Sequence, residues 1–330
     1  MAVQAQIAIV GATGVIGQQI LRALEEKEHP AQGLTLFASE RTRGADVEYS
    51  GESLEVEQLS PDAFVGIKAV VLACPADVAR PLALSAQHAG AWVIDLSGAF
   101  RTDLSVPLVL GDKDPLLDRP FTGKIIEVAT PSTQAILAAL SPVQVTVGLQ
   151  AVQVVALFGA AHGGLPGITA FEKQTAALLN ASDVEATVFP HRLAFNLVPQ
   201  VGTFTAANTT EEIALKVEVA RRLGPTALSC TMIAAPFFHG TMLVISAQLE
   251  RGFEADALRE QLKAVAGLKV LDSPAEGIYP MPMLVTADPA IHVGRIRIEG
   301  KSLQLVAALD NAGRAGDVAA SLAIKLAGKA

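Results

Sequence analysis

Over the first 130 residues, short apolar runs alternate with segments whose apolar positions recur every three to four residues. The runs Gln6–Val10, Leu34–Ala38, Ala69–Ala73, Trp92–Leu96 and Ile125–Ala129 suit buried strands, and Val15–Glu28 and Ala76–Ala89 carry helical spacing. This alternation predicts a parallel βαβ sheet, whose ligands bind beyond the carboxyl ends of its strands. Those ends are Gly11–Gly14, Ser39–Arg43, Cys74–Asp77, Leu96–Arg101 and Thr130–Thr133. After about Leu140 the pattern changes to longer alternating or continuous runs at Thr146–Phe158, Leu228–Ala234, Met242–Leu249, His292–Glu299 and Ser302–Leu309. These predict a large mixed or antiparallel sheet. Helices are expected at Ala135–Leu140, Ile168–Leu179, Glu211–Leu223 and Glu254–Ala266, and a last one at Ala315–Leu326 would close back onto the first domain. Gly159–Gly167 and the proline-rich Ser273–Pro289 read as loops.

Composition narrows the function classes. The chain has 330 residues, ample for two domains, with 51% hydrophobic positions and a net charge of −8. That charge argues against nucleic acid or an anionic membrane as a partner. The most apolar stretch, Val143 to Ala161, is broken by Gln144, Thr146, Gln150 and Gln153, and the first residues lack a basic leader pattern. A cytoplasmic protein is expected. Two cysteines, Cys74 and Cys230, make neither a disulfide framework nor a zinc site, and no metal is expected.

The chemistry concentrates in Ile7-Ala8-Ile9-Val10-Gly11-Ala12-Thr13-Gly14-Val15-Ile16-Gly17. A strand breaks into glycines at intervals of three, and an amphipathic helix follows. This order brings backbone N–H groups and the positive end of a helix dipole to one point, which accepts a pyrophosphate. The cradle comprises Gly11, Thr13, Gly14, Val15, Ile16 and Gly17. At the end of the second strand stands Ser39-Glu40-Arg41-Thr42-Arg43. Ser39, Arg41 and Thr42 suit the 2′-phosphate of NADP, whereas Glu40 would serve the ribose hydroxyl of NAD. The balance favours NADP.

The runs G-A-T-G-V-I-G, L-F-A-S-E-R-T-R-G and D-L-S-G-A-F-R, with Phe195–Gln200, Val293–Arg297 and Asp310-Asn311, resemble the aspartate-semialdehyde dehydrogenase family in order over nearly the whole chain. The resemblance implies an α/β protein with an N-terminal Rossmann-type domain, residues 1–130 plus 312–330. It also implies an α+β dimerisation and catalytic domain, residues 131–311, built on a large mixed sheet and forming a homodimer. Family members act in amino-acid biosynthesis, reducing aspartyl phosphate with NADPH through a cysteine thioester, with a histidine as acid/base catalyst. Asn311 would join the cofactor residues, and Arg101 would hold a substrate anion.

The same resemblance exposes departures. The family sets its cysteine in N-C-S-T at a helix start, and the corresponding segment here is Thr130-Pro131-Ser132-Thr133. Pro131 occupies the nucleophile position, where proline suits the first turn of a helix and a thiolate is needed for chemistry. Ser132 and Thr133 are expected to cap N–H groups. With Pro236 as anchor, the substrate arginine becomes Ala234 and the catalytic histidine Thr241. His239 lies two positions early; on a strand it would keep the same face, making it a substitute or a structural histidine. The family's glutamine falls near Leu157 or Phe158, just before His162, and Glu211 or Glu212 stands near its glutamate. The expected lysine is Ala214, with Lys216 displaced. This combination is similar to the Usg-type subgroup, paralogues without the active cysteine, as is Phe171–Asn180. It implies a catalytically silent homologue. Two alternatives stand beside it: an active NAD(P)-dependent oxidoreductase on another aldehyde or acyl group, and a regulatory protein that retains NAD(P) binding or pairs with an active paralogue.

Overall fold

The computed structural model describes residues 6–38, 44, 46–60, 62–120 and 122–329. The chain divides into two compact units, Met1–Thr130 with Ala312–Ala330, and Pro131–Asn311.

The first unit contains β1 (Ile7–Val10), α1 (Val15–Glu26), β2 (Leu34–Phe37), β3 (Asp46–Tyr49), β4 (Glu52–Glu57), β5 (Ala69–Leu72), α2 (Ala76–His88), β6 (Trp92–Asp95), β7 (Leu108–Val109) and β8 (Ile125–Val128). Its eight-stranded sheet has the order β3-β4-β2-β1-β5-β6-β8-β7. All pairings are parallel except the β3–β4 hairpin. The order reverses at β1 and β5, so the crevice for a ligand opens beyond Val10 and Leu72. One core lies between the sheet, α1 and the C-terminal helix Asn311–Ala327, where Ile20, Leu21 and Leu24 pack with Val318, Leu322 and Leu326. Each such side chain contributes about 1.5–3 kcal/mol by leaving water. The core on the other face joins the sheet to α2 through Ala79, Ala83 and Ala86. The polar hairpin β3–β4 was not foreseen; only Val47, Tyr49 and Val56 of its ten strand residues are buried, too sparse a signal to read in one dimension.

The second unit contains α3 (Pro131–Thr146), β9 (Leu149–Phe158), α4 (Gly164–Leu179), β10 (Phe204–Thr205), β11 (Asn208–Thr209), α5 (Thr210–Leu223), β12 (Ala227–Ala234), β13 (Thr241–Leu249), α6 (Ala255–Lys263), β14 (Leu268–Val270), β15 (Ile291–Glu299) and β16 (Ser302–Leu309), after which α7 is the C-terminal helix already described. Its six-stranded mixed sheet runs β12-β9-β13-β16-β15-β14, with β12–β9 and β14–β15 parallel. α3, flanked by α5 and α6, packs on this sheet. α5 starts with a capping box: Thr209 Oγ1 accepts from Glu212 N, and Glu212 Oε2 accepts from Thr209 N.

Two expectations are corrected here. α3 does not stop at Leu140; it runs through Pro142 to Thr146, and β9 starts only at Leu149. The buried face formed by Ile136, Leu137, Leu140 and Val143 outweighs the interruption at Pro142. Gly159–Gly167 is not an open loop but a 3-10 turn, Ala160–Gly163, leading into α4. Gly167 serves close approach, since a Cβ there would sit 2.3 Å from Ala160 O, whereas Gly164 takes a positive φ of +68.

Candidate functional site

The glycine turn is built by contact as well as by charge. Gly11 has φ +90, and a Cβ there would lie 2.3 Å from Ala73 O, so only glycine lets the ends of β1 and β5 come this close. Gly17 is held as tightly, since a Cβ would stand 2.1 Å from Gly11 O. Gly11 and Ala12 both donate their N–H to Phe37 O, which ties the turn to β2. Gly14 is exposed and is the N-cap of α1 with no side-chain cap. The first-turn N–H groups of Val15, Ile16 and Gly17 therefore receive no capping side chain, the arrangement that suits an anion. Thr13 is half-buried beside them. Ser39, Arg41 and Thr42, with Glu40, lie outside the described residues.

Beyond β6 the run Asp95–Arg101 forms a braced loop. Asp95 is fully buried; one carboxylate oxygen accepts from Ser97 N and Ser97 Oγ, and the other from Ala99 N at 3.1 Å. Burial pushes its carboxyl up, and the hydrogen bonds from Ser97 and Ala99 and the charge of Arg101 oppose this. Arg80 donates to Ala99 O and stacks over Phe100 at 4.6 Å. Arg101 is half-buried, its Nε 3.9 Å from Glu127 Oε1. Sequence reasoning left Glu127 unassigned, although it is the charged residue in the otherwise apolar β8.

Neither thiol is primed for nucleophilic work. Burial, then Asp95, pushes the Cys74 thiol up to about 11. Burial likewise raises Cys230 to about 11 against the pull of Lys216, and its Sγ faces Glu212 O at 3.6 Å. A reactive cysteine needs the opposite environment.

In the second unit Pro131 is the first residue of α3 and is half-buried, with Ser132, Thr133 and Gln134 buried behind it. Ala234 ends β12 and is tied by both backbone groups to Val198. Thr241 is fully buried at the start of β13, and its Oγ1 accepts from Asn311 Nδ2 at 2.7 Å. Asn311 Oδ1 is buried with no hydrogen-bond partner. His239 is not on a strand. It lies exposed in the bend between β12 and β13, so the same-face reasoning does not hold. Phe158 ends β9, and the His162 ring packs on it with centroids 4.7 Å apart. His162 keeps an exposed surface, yet desolvation by the surrounding protein lowers its pKa while Glu211 opposes the change. Glu212 is a structural residue: beyond the capping box, its Oε1 accepts from Met232 N at 3.0 Å. Lys216 donates to Asn208 Oδ1 at 2.6 Å. Among the described residues no group of three His, Cys, Asp or Glu is placed to hold a metal ion, and no helix is long and apolar enough to cross a membrane.

A parallel sheet with a glycine turn at its switch point and an uncapped helix behind it defines a dinucleotide-binding α/β protein. The chain matches the semialdehyde dehydrogenase NAD-binding domain over residues 6–114 and the semialdehyde dehydrogenase dimerisation domain over residues 140–312. It is 32% identical over 299 residues to the aspartate-semialdehyde dehydrogenase of Aquifex aeolicus, covering 88% of each chain. The crystal structure of aspartate semialdehyde dehydrogenase II complexed with ASA from Vibrio cholerae superposes with TM-score 0.90 at 25% identity, over 99% of this chain and 98% of that one. A probable aspartate-semialdehyde dehydrogenase from Pseudomonas aeruginosa gives TM-score 0.88 at 28% identity, over 98% and 97%. The chain belongs to the aspartate-semialdehyde dehydrogenase family.

Proposed function

We propose that this chain is a Usg-type member of the family that binds NADP, forms a homodimer and does not reduce aspartyl phosphate. The observation that carries the reading is Pro131, which starts α3 at the position where the family presents its cysteine. A proline offers no nucleophile, and Cys74 and Cys230 both stay protonated near neutral pH with thiols at about 11. The change is not isolated. Ala234 offers no guanidinium, and the buried Thr241 hydroxyl, engaged by Asn311, does not titrate as an imidazole does. Loss of nucleophile, substrate arginine and acid/base group together removes the reaction rather than reassigning it. The cofactor cradle is a separate matter. The residues of the glycine turn fit a dinucleotide, since α1 begins without a cap and Gly11 and Gly17 leave no side chain in the turn. Gly11, Thr13, Gly14, Val15, Ile16 and Gly17 would hold the pyrophosphate. Ser39, Arg41 and Thr42 would take the 2′-phosphate; a reduced dinucleotide bound there would carry a hydride but meet no acyl-enzyme to accept it.

The test offers the purified protein NADPH with aspartyl phosphate, and in reverse aspartate semialdehyde, phosphate and NADP. No turnover is expected in either direction, and Pro131→Cys alone is expected not to restore it. Turnover that survives Cys74→Ser with Cys230→Ser would overturn the reading in favour of an active oxidoreductase using another nucleophile. Cofactor retention has its own readout. NADP at 100 times its Kd should stabilise the protein by about 2.7 kcal/mol, and more than NAD at equal concentration. If an active paralogue co-purifies and its turnover changes, the chain is a regulatory partner in a heteromer.

A further inference from the structure

Asp95 and Glu127 are register partners on the neighbouring parallel strands β6 and β8. Both carboxyl groups are fully buried at the ligand-facing ends of those strands. Arg101 is the cation that answers them: its Nε stands 3.9 Å from Glu127 Oε1, and its charge acts on Asp95. The guanidinium lies flat on Gly98, where a Cβ would come within 2.4 Å of Nη2 and 2.5 Å of Cζ. The missing side chain of Gly98 thus lets the arginine fold down onto the buried pair instead of reaching outward. The Glu127 carboxyl stands within ion-pair distance of the guanidinium, and the Asp95 carboxyl, held by Ser97 and Ala99, feels its charge.

We propose that Glu127 is a specificity-determining residue that occupies Arg101 from within, so that the Asp95–Arg101 loop takes an external oxyanion such as phosphate only when the Glu127 charge is removed. The proposal rests on Arg101 being the anion residue of this family, and it explains how a retained arginine need not mean a retained site. An incoming phosphate would bring its negative charge next to a carboxylate that has no water to retreat into, because Glu127 has no exposed surface. Repulsion across a few ångströms of desolvated protein is strong enough to set the affinity.

Inorganic phosphate titrated into wild type, Glu127→Gln and Glu127→Gln/Arg101→Gln by calorimetry tests this. Wild type should bind at least about tenfold more weakly than Glu127→Gln, and the double variant should lose the gain. Should Glu127→Gln fold poorly, Glu127→Met removes the charge at similar volume. In wild type itself, the Arg101 Nε resonance, assigned by its loss in Arg101→Lys, should not move with phosphate. Equal affinity in wild type and Glu127→Gln would overturn the proposal, as would a wild-type Arg101 resonance that shifts saturably. A gain that persists in the double variant would also overturn it. No turnover is measured, so failure here leaves the silent reading standing, and turnover by wild type would sink that reading without altering the phosphate ranking.

Discussion

Three glycines spaced alike in the sequence have three different jobs in the structure. Gly11 makes a positive-φ turn, Gly17 allows backbone contact, and Gly14 leaves a helix end open. Gly17→Ala would place a methyl 2.1 Å from Gly11 O and 2.7 Å from Ala12 Cα, and both are backbone atoms that cannot swing aside. Such overpacking should cost about 3 kcal/mol or more in urea unfolding. Gly14→Ala meets only Gly11 O at 3.3 Å and keeps an ordinary φ of −76. It should cost about 1 kcal/mol or less while weakening dinucleotide binding, because its methyl projects where the anion approaches. Equal stability losses in the two variants would show that the glycines share one role. The sequence pattern announces the turn, because strand, glycines and helix are contiguous. It does not separate the roles, since Ala73 and Phe37 reach the turn from distant strands. Glu127 shows the same limit more sharply. A lone carboxylate in an apolar run is visible in the sequence, but nothing in linear order says that Asp95 is its register partner or that Arg101 folds back toward it.

Element by element, the parallel strands of the first unit are the most legible, because burial on both faces writes a continuous apolar run with little room for ambiguity. Legibility fails where tertiary packing overrides a local signal, as at Pro142 in α3, or where a bend sits between two good strands, as at His239. The short edge strand β14 is a further case, because Leu268–Val270 is only three residues long and pairs with β15 alone. Lys269 Nζ and His292 Nε2 both contact Asp288 Oδ2, at 2.6 and 2.8 Å, and so join β14, β15 and the loop before β15. Partial burial disfavours the Asp288 carboxylate, but Lys269, the Ala290 N–H and His292 outweigh it and bring the pKa down to about 2. A carboxyl depressed on folding stabilises the native state above its unfolded pKa of about 3.9. That contribution is lost as pH falls from there through about 2. With Asp288 partly in water, the screened contribution is roughly 1–2 kcal/mol. Asp288→Asn should therefore be less stable than wild type in urea at pH 6, and the gap should narrow steadily as pH falls from about 4 toward 2. A gap that stays constant with pH would assign the loss to packing instead of charge.

For the molecule as a whole, the open question is what covers the outer face of the six-stranded sheet. One face is packed by α3, α5 and α6, which is why Leu243, Ile245 and Ala247 on β13 are buried. The alternate residues face away, and there Val155 and Val244, paired across β9 and β13, remain 40% and 37% exposed. Leu157, Met242 and Ile233 continue the same apolar row in register, each half-buried. A monomer rarely leaves such a face in water. The match to a dimerisation domain across residues 140–312 points to a second copy of the chain as the cover. In analytical ultracentrifugation the protein should sediment at twice its 34.3 kDa chain mass. Val155→Lys with Val244→Lys sets like charges against each other across an interface that needs about 800 Å² of burial per partner, and it should yield monomers. The sheet itself should survive, because both positions already face outward, so far-UV circular dichroism of the double variant should match wild type. A wild-type monomer at micromolar concentration, or a variant that stays dimeric, would place the interface elsewhere.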